Sequence, residues 1–285
     1  MTVKRIAIVG AGIMGRMLAW QLLNYAKSAV AITLYDKDPM NVGGAAAYTA
    51  AGMLSPYSEL ESAEHSVFHM GLASLTRWPA VTESLSKQRN TPVDLFSNGT
   101  VVVAHQQDQA DFQRFHQQVT TKLPDSYRDQ MGQHMQLLNQ AALSQLVPQL
   151  ATRFNHGLHL PNEAWLDSAQ VMLAFNEYLL NGDVKWQENC AVSHIEHCIQ
   201  AEQRLGAAVC LASGKQMFDH VIDCRGLGAK RDVQGLRGVR GEVITLHAPQ
   251  VELKHAVRLI HPRYKLYIAP RRDHHFVIGA SQIES

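Results

Sequence analysis

The stretch that decides the fold is Arg5-Ile6-Ala7-Ile8-Val9-Gly10-Ala11-Gly12-Ile13-Met14-Gly15. A short β-branched run stops abruptly at three glycines in the spacing G-x-G-x-x-G. Met14, Leu18, Leu22 and Tyr25 then recur at helical spacing, and a second apolar run from Ala29 to Tyr35 ends at Asp36. Strand, glycine loop, helix, strand and acid within one unit of about 30 residues form a dinucleotide-binding start. Gly10 permits the tight turn, Gly12 lets a pyrophosphate approach the backbone, and Gly15 lets the helix pack against the strand. The helix start offers free N–H groups and the positive end of a dipole to phosphate. Asp36, 21 residues after Gly15, stands near the spacing at which a carboxylate reaches a ribose diol, and it disfavours a 2′-phosphate.

Working outward, the chain has 285 residues, 46% of them hydrophobic and 18% charged, with a formal net charge of +1. That length predicts roughly two domains with cores of their own. With 26 basic and 25 acidic residues there is no global field to hold a polyanion, so nucleic-acid binding is not expected. No run approaches the ~18–20 apolar residues of a membrane helix, and integral membrane association is not expected either. The basic pair Lys4-Arg5 precedes an apolar run, but the glycines interrupt it and no cleavage site follows closely. Cys190, Cys198, Cys210 and Cys224 have no CxxC spacing and read as buried thiols of a reducing compartment. A cytoplasmic location follows as the expectation.

The glycine fingerprint does not separate FAD from NAD. The segment Asn41 to Leu54, NVGGAAAYTAAGML, does more, because small side chains let backbone lie against a flat ligand. Together, GAGIMG, the strand ending at Asp36 and GGAAAYTAAGMLSPYSE resemble the D-amino-acid oxidase superfamily of flavoproteins, closest to the glycine oxidase-like enzymes of thiamine biosynthesis. HLPNEAWLDSAQV, VIDCRGLGA, GVRGEVI, LYIAPR and FVIGAS follow in the same order.

The resemblance implies FAD as cofactor, and it implies site residues position by position. Ile13 and Met14 match residues over the pyrophosphate, and Asp36 and Lys37 match residues at the adenosine ribose. Ala46, Ala47, Ala51, Gly52 and Met53 match the flavin side. Val192 matches a position whose backbone meets the adenine, and Tyr267 one that faces the substrate carboxylate, with Met53 as a wall beside it. The expected site is therefore Gly10, Gly12, Ile13, Met14, Gly15, Asp36, Lys37, Ala46, Ala47, Ala51, Gly52, Met53 and Val192 for the cofactor, with Tyr267 and Met53 for substrate.

The expected fold is mixed α/β, a Rossmann-like FAD-binding domain interleaved with a mostly antiparallel-sheet substrate domain. Residues 1–80 and 150–235 are expected to form the first, and 81–149 and 236–285 the second. Asn98-Gly99 between two β-rich runs predicts a type I′ hairpin. Glu61 to Leu75 reads as helical up to Trp78-Pro79. Asn139 and Asp167 stand where helix N-caps are expected. The expected arginine for a substrate carboxylate is absent. Arg237, Arg240, Arg258, Arg263, Arg271 and Arg272 make the last third basic, but in relatives that residue lies in a later G-x-R-P segment, so the chain is expected to be truncated against the family.

Fifteen histidines invite a metal reading. His65 and His69 are four apart, but the order is not HExxH and no third ligand is placed, so no metal is expected. The implied activity is FAD-dependent oxidation of a small amino acid, glycine or a D-amino acid, with O₂ as acceptor. The alternatives are a flavin dehydrogenase passing electrons to a quinone or carrier, and an FAD-binding fragment without turnover. A homo-oligomer is compatible with the sequence.

Overall fold

A computed structural model describes residues 3–199 and 205–284. The opening motif forms as its pattern dictates. Strand β1 (Lys4–Val9) is buried over its last four residues and runs parallel to β2 (Val30–Tyr35) on one side and to His220–Asp223 on the other. Lys185–Gln187 joins β2 in parallel, giving a four-stranded sheet. Helix α1 (Ile13–Ala26) lays Leu18, Ala19, Leu22 and Leu23 over Ile6, Ile8, Ile32 and Leu34. A helix over Ser168–Asn181 packs beside it, its N-cap Asp167 accepting from the Gln170 amide at 3.0 Å. On the other face, Ala7, Val9 and Tyr35 meet Val209 and Phe218 of an antiparallel sheet formed by His194–Ile199, Leu205–Leu211 and Gly214–Phe218.

A second, seven-stranded sheet runs in the order 243–247, 275–279, 265–270, 256–260, 100–104, 156–160 and 136–139. Its neighbours are antiparallel except Thr100–Ala104, which runs parallel to Ala256–Ile260. Val102, Leu158 and Leu160 face the helix Gln109–Thr121 through Phe112, Phe115 and Val119, and Val101 and Val103 face Leu143 and Val147. Burying both faces explains the unbroken apolar run of Thr100–Ala104. Asn139 caps the helix Gln140–Leu146, as its position predicts. The strand His156–Leu160, placed by sequence with the cofactor part, is hydrogen bonded into this sheet.

Two local expectations are corrected. Leu95–Phe96 and Thr100–Ala104 do not pair as a hairpin. Leu95–Phe96 lies against Ala164–Leu166, while Thr100–Ala104 enters the large sheet. Gly99 keeps the left-handed backbone (φ 83°), but its amide bonds the Glu163 carbonyl at 3.1 Å, so the turn transfers the chain between sheets. The other correction concerns the helix, which spans His65–Ser86 and passes through Pro79. Proline removes one backbone donor. Burial of Phe68, Val81 and Leu85 on either side outweighs that loss, and the Thr82 hydroxyl bonds the Trp78 carbonyl at 3.0 Å. Among the described residues, no helix is long and apolar enough to cross a membrane. Among the described residues Cys190, Cys210 and Cys224 form no disulfide, Cys210 being buried and the others half-buried, and the Cys198 side chain lies outside the described residues.

Candidate cofactor and substrate site

The glycine loop leaves β1 at the carboxyl edge of the parallel sheet, where ligands of such folds bind. Gly10 takes φ 101°, and a Cβ there would lie 2.5 Å from the Cys224 carbonyl oxygen, so only glycine fits between the strands. Above the loop opens a cavity of about 450 Å³, within the size range of cofactor sites. Of the expected residues it gathers Gly10, Gly12, Ile13, Met14, Asp36, Lys37, Ala46, Ala47 and Val192. Gly15 lies behind it, buried between helix and strand.

Asp36 reaches back to the loop. One carboxylate oxygen accepts from the Ala11 amide at 2.6 Å and the other from the Asp38 amide at 2.9 Å. An ionised carboxylate has about four acceptor positions, so capacity for ribose hydroxyls is left. The Lys37 ammonium, followed by the Gly44 amide, holds Asp38 below its usual carboxylate range. These bonds tie the end of β2 to the small-residue loop.

The remaining expected residues stand apart from this cavity. Ala51 and Met53 pack with Tyr267, Trp165, Phe96 and Val277 in a separate apolar cluster at the junction with the seven-stranded sheet. Gly52 sits between them, its carbonyl accepting from the Leu166 amide. Burial, with the Glu59 carboxylate nearby, raises the Tyr267 phenol above its usual pKa. Three of the six late arginines are engaged internally. Arg258 pairs with Glu61, Arg271 donates to the Ala51 carbonyl at 2.7 Å, and Arg272 pairs with Asp94. His65 contacts the Lys122 carbonyl at 2.7 Å. Among the described residues His194, Glu196 and Cys210 are gathered closely enough to suit a metal, with the Lys215 ammonium on Glu196.

Two features at or near the cavity were not among the expected site residues. Arg225, Leu227 and Gly228, just past the strand His220–Asp223, form one wall, with Arg225 clamped by Asp223 and Asp232 at 2.6 Å each. Arg16, in the first turn of α1, is 2% exposed. A cation at a helix N-terminus opposes the helix dipole, and that misfit was its one sequence signal.

The chain's residues fit a bound dinucleotide. Unlike Gly10, Gly12 is not required by the protein's own packing: a Cβ there would meet only the Ala45 methyl, at 4.0 Å. Its bareness leaves open space on the cavity side. The amides of Ile13, Met14 and Gly15 at the start of α1 have no intrahelical acceptor. Large apolar side chains flank the cavity, Met14 at 69% and Leu227 at 53% exposure.

Fold and cavity together define a Rossmann-type dinucleotide-binding protein. Residues 5–285 match the FAD dependent oxidoreductase family, DAO. Over 283 residues the chain is 32% identical to a protein of Rhizobium etli assigned as the thiamine biosynthesis oxidoreductase ThiO, covering 99% of this chain and 72% of that one. It is 23% identical over 288 residues to a glycine oxidase of Geobacillus kaustophilus, covering 97% and 69%. The crystal structure of glycine oxidase from Geobacillus kaustophilus superposes with a TM-score of 0.80 at 21% identity, covering 99% of this chain and 73% of that one. An iminodiacetate oxidase of Chelativorans gives 0.71 at 19% identity, covering 98% and 72%. The chain belongs to the FAD-dependent oxidoreductase family, and FAD is its cofactor.

Proposed function

We propose that the chain oxidises a small amino acid, glycine or a D-amino acid, to the imino acid, which water converts to the keto acid and ammonia, with O₂ reduced to H₂O₂. The single observation that carries this reading is the placement of Tyr267. It is half-buried on the large sheet and packed with Ala51 and Met53, at the far end of the loop whose Ala46 and Ala47 line the cofactor cavity. FAD, when bound, would supply the two-electron, hydride-accepting chemistry that the side chains lack.

The protein's part is positioning. In this reading the glycine loop, Asp36, Lys37 and Val192 hold the nucleotide half, and Ala51, Gly52 and Met53 bring backbone beside the flavin. The neutral Tyr267 hydroxyl donates to the substrate carboxylate. Burial keeps that phenol protonated, as a donor must be. No strong general base is required of the chain when the substrate amine is neutral. The four-stranded sheet and its flanking elements form the cofactor part, and the seven-stranded sheet the substrate part.

The test is purification followed by anaerobic glycine, and separately a panel of D-amino acids. A yellow protein that bleaches, then releases peroxide stoichiometrically under air, supports the reading. Bleaching with dye reduction but without peroxide would assign a dehydrogenase instead, and colour that no amino acid bleaches would refute amino-acid oxidation.

A further inference from the structure

We propose that Arg16 is a positioning residue that aims the Gly12 amide at the cofactor pyrophosphate and latches the small-residue loop over it. The proposal rests on the reading of this cavity as the FAD site. The guanidinium donates from Nε to the Ala11 carbonyl at 2.6 Å, from Nη1 to the Met172 carbonyl at 2.8 Å and to the Tyr48 hydroxyl at 3.0 Å, and from Nη2 to the Met40 carbonyl at 3.0 Å. It lies against the rings of Tyr48 and Trp186, 5.3 and 5.1 Å from their centroids. One side chain thus ties together the glycine loop, both ends of the 40–48 segment and the helix Ser168–Asn181.

The consequence for Gly12 follows from peptide geometry. In a trans peptide the C=O and the following N–H point in opposite directions. Arg16 draws the Ala11 carbonyl into a small polar recess that it shares with Met40, Tyr48 and Trp186. The Gly12 N–H, on the same peptide plane, must therefore point away from that recess, and Gly12 lines the cavity. Asp36 fixes the preceding plane by accepting from the Ala11 amide. Both peptides flanking Ala11 are pinned from behind, and Gly12 presents its donor without having to reorganise on binding.

Charge adds to the aim. The Arg16 guanidinium bonds neutral carbonyls and a hydroxyl, and burial lowers its pKa from the usual guanidinium value against the raising pull of Tyr48 and the more distant Asp36. A buried cation without a bonded carboxylate gains from a nearby anion, and a pyrophosphate brings one.

Arg16→Lys and Arg16→Gln decide the matter by FAD titration of the apoprotein, followed by flavin fluorescence, and by the rise in Tm that FAD produces. Lysine restores the charge but not the fork that holds Ala11 and Met40 together. Both variants should bind FAD about tenfold or more weakly and show a smaller FAD-induced rise in Tm. Full rescue by lysine would overturn the geometric role, and wild-type affinity in both variants would overturn any role.

Should either variant fail to fold, hydrogen exchange in the wild type carries the test. The Ala11 amide should be protected with and without FAD, and the Gly12 amide only with it. Protection of Gly12 in the apoprotein would overturn the proposal. ADP, which has the pyrophosphate but no flavin, separates this idea from the cofactor reading. Wild type that binds ADP and not FAD would refute the reading of the cavity alone, with the variants then judged on ADP. Binding of neither would refute both.

Discussion

A Cβ built on Gly15 would lie 2.0 Å from the carbonyl oxygen of Gly10. The glycine loop is thus folded onto the first turn of α1 so closely that no other residue fits at position 15. Gly12, in the same motif, has no such neighbour and no left-handed backbone. Two glycines of one fingerprint therefore stand in different surroundings, one packed against backbone and one open to the cavity.

Gly15→Ala should destabilise the apoprotein by about 3 kcal/mol or more, since backbone must move to admit the methyl. Gly12→Ala should leave apoprotein stability unchanged or raised by about 0.4–1 kcal/mol through the unfolded state. Its FAD affinity should nevertheless fall at least about tenfold, because the methyl occupies space a pyrophosphate needs. Thermal unfolding without cofactor, set beside FAD titration, checks both. A loss of apoprotein stability in Gly12→Ala equal to that of Gly15→Ala would contradict the distinction.

Asp36→Asn keeps the size of the side chain but gives one of its two bound amides an N–H to face in place of an oxygen. The bonds from Ala11 and Asp38, at 2.6 and 2.9 Å, are charge-assisted and worth about 1.5–3 kcal/mol each. The variant should melt several degrees lower as apoprotein and bind FAD more weakly. Unchanged melting would mean that the carboxylate does not organise the loop.

Glu163 predicts a pH dependence of stability. It is buried beside Ser58, whose amide donates at 2.6 Å and whose hydroxyl donates at 3.0 Å. Burial pushes its pKa up to about 7, against the lowering pull of Ser58, Thr100 and Arg258. A raised folded pKa means that the native state binds the proton more tightly than the unfolded chain does. Its contribution is therefore complete below the ordinary value of 4.5 and is lost as pH rises to about 7. Comparing urea midpoints at pH 5 and pH 8, Glu163→Gln should show a smaller decline than the wild type. Parallel profiles would refute the assignment.

For Tyr267→Phe, loss of the hydroxyl should raise the KM for the amino acid more than it lowers kcat, because a carboxylate contact is made in ground and transition states alike. Packing in the cluster with Ala51, Met53 and Trp165 survives the change, so the melting temperature should hold. If neither kinetic parameter moved, Tyr267 would not face substrate.

The cofactor half was legible because its signals are local. A β-branched run, three glycines at fixed spacing and a terminal acid all lie within the first 36 residues, although Gly10 also answers to the distant Cys224 carbonyl. The caps at Asn139 and Asp167 were legible for the same reason. What escaped depends on distant partners. Asn98-Gly99 has the composition of a hairpin, yet Leu95–Phe96 and Thr100–Ala104 find better partners far along the chain, in Ala164–Leu166 and in Ala256–Ile260 with His156–Leu160. Arg16 escaped because nothing adjacent in sequence announces Met40, Tyr48 and Met172 as its acceptors.

The pairing of β1 with His220–Asp223 governs when the fold can form. Val9 stands opposite Asp223, and Thr100 opposite Ala256, so each major sheet waits for a partner made late in synthesis. Non-local parallel pairing closes slowly. The apolar edge of β1 stays uncovered until that late strand is available, a window in which aggregation competes with folding. FAD, by binding the cavity that this late pairing completes, would draw the chain into the folded state once the strand is available, so riboflavin supply during expression should raise the soluble yield.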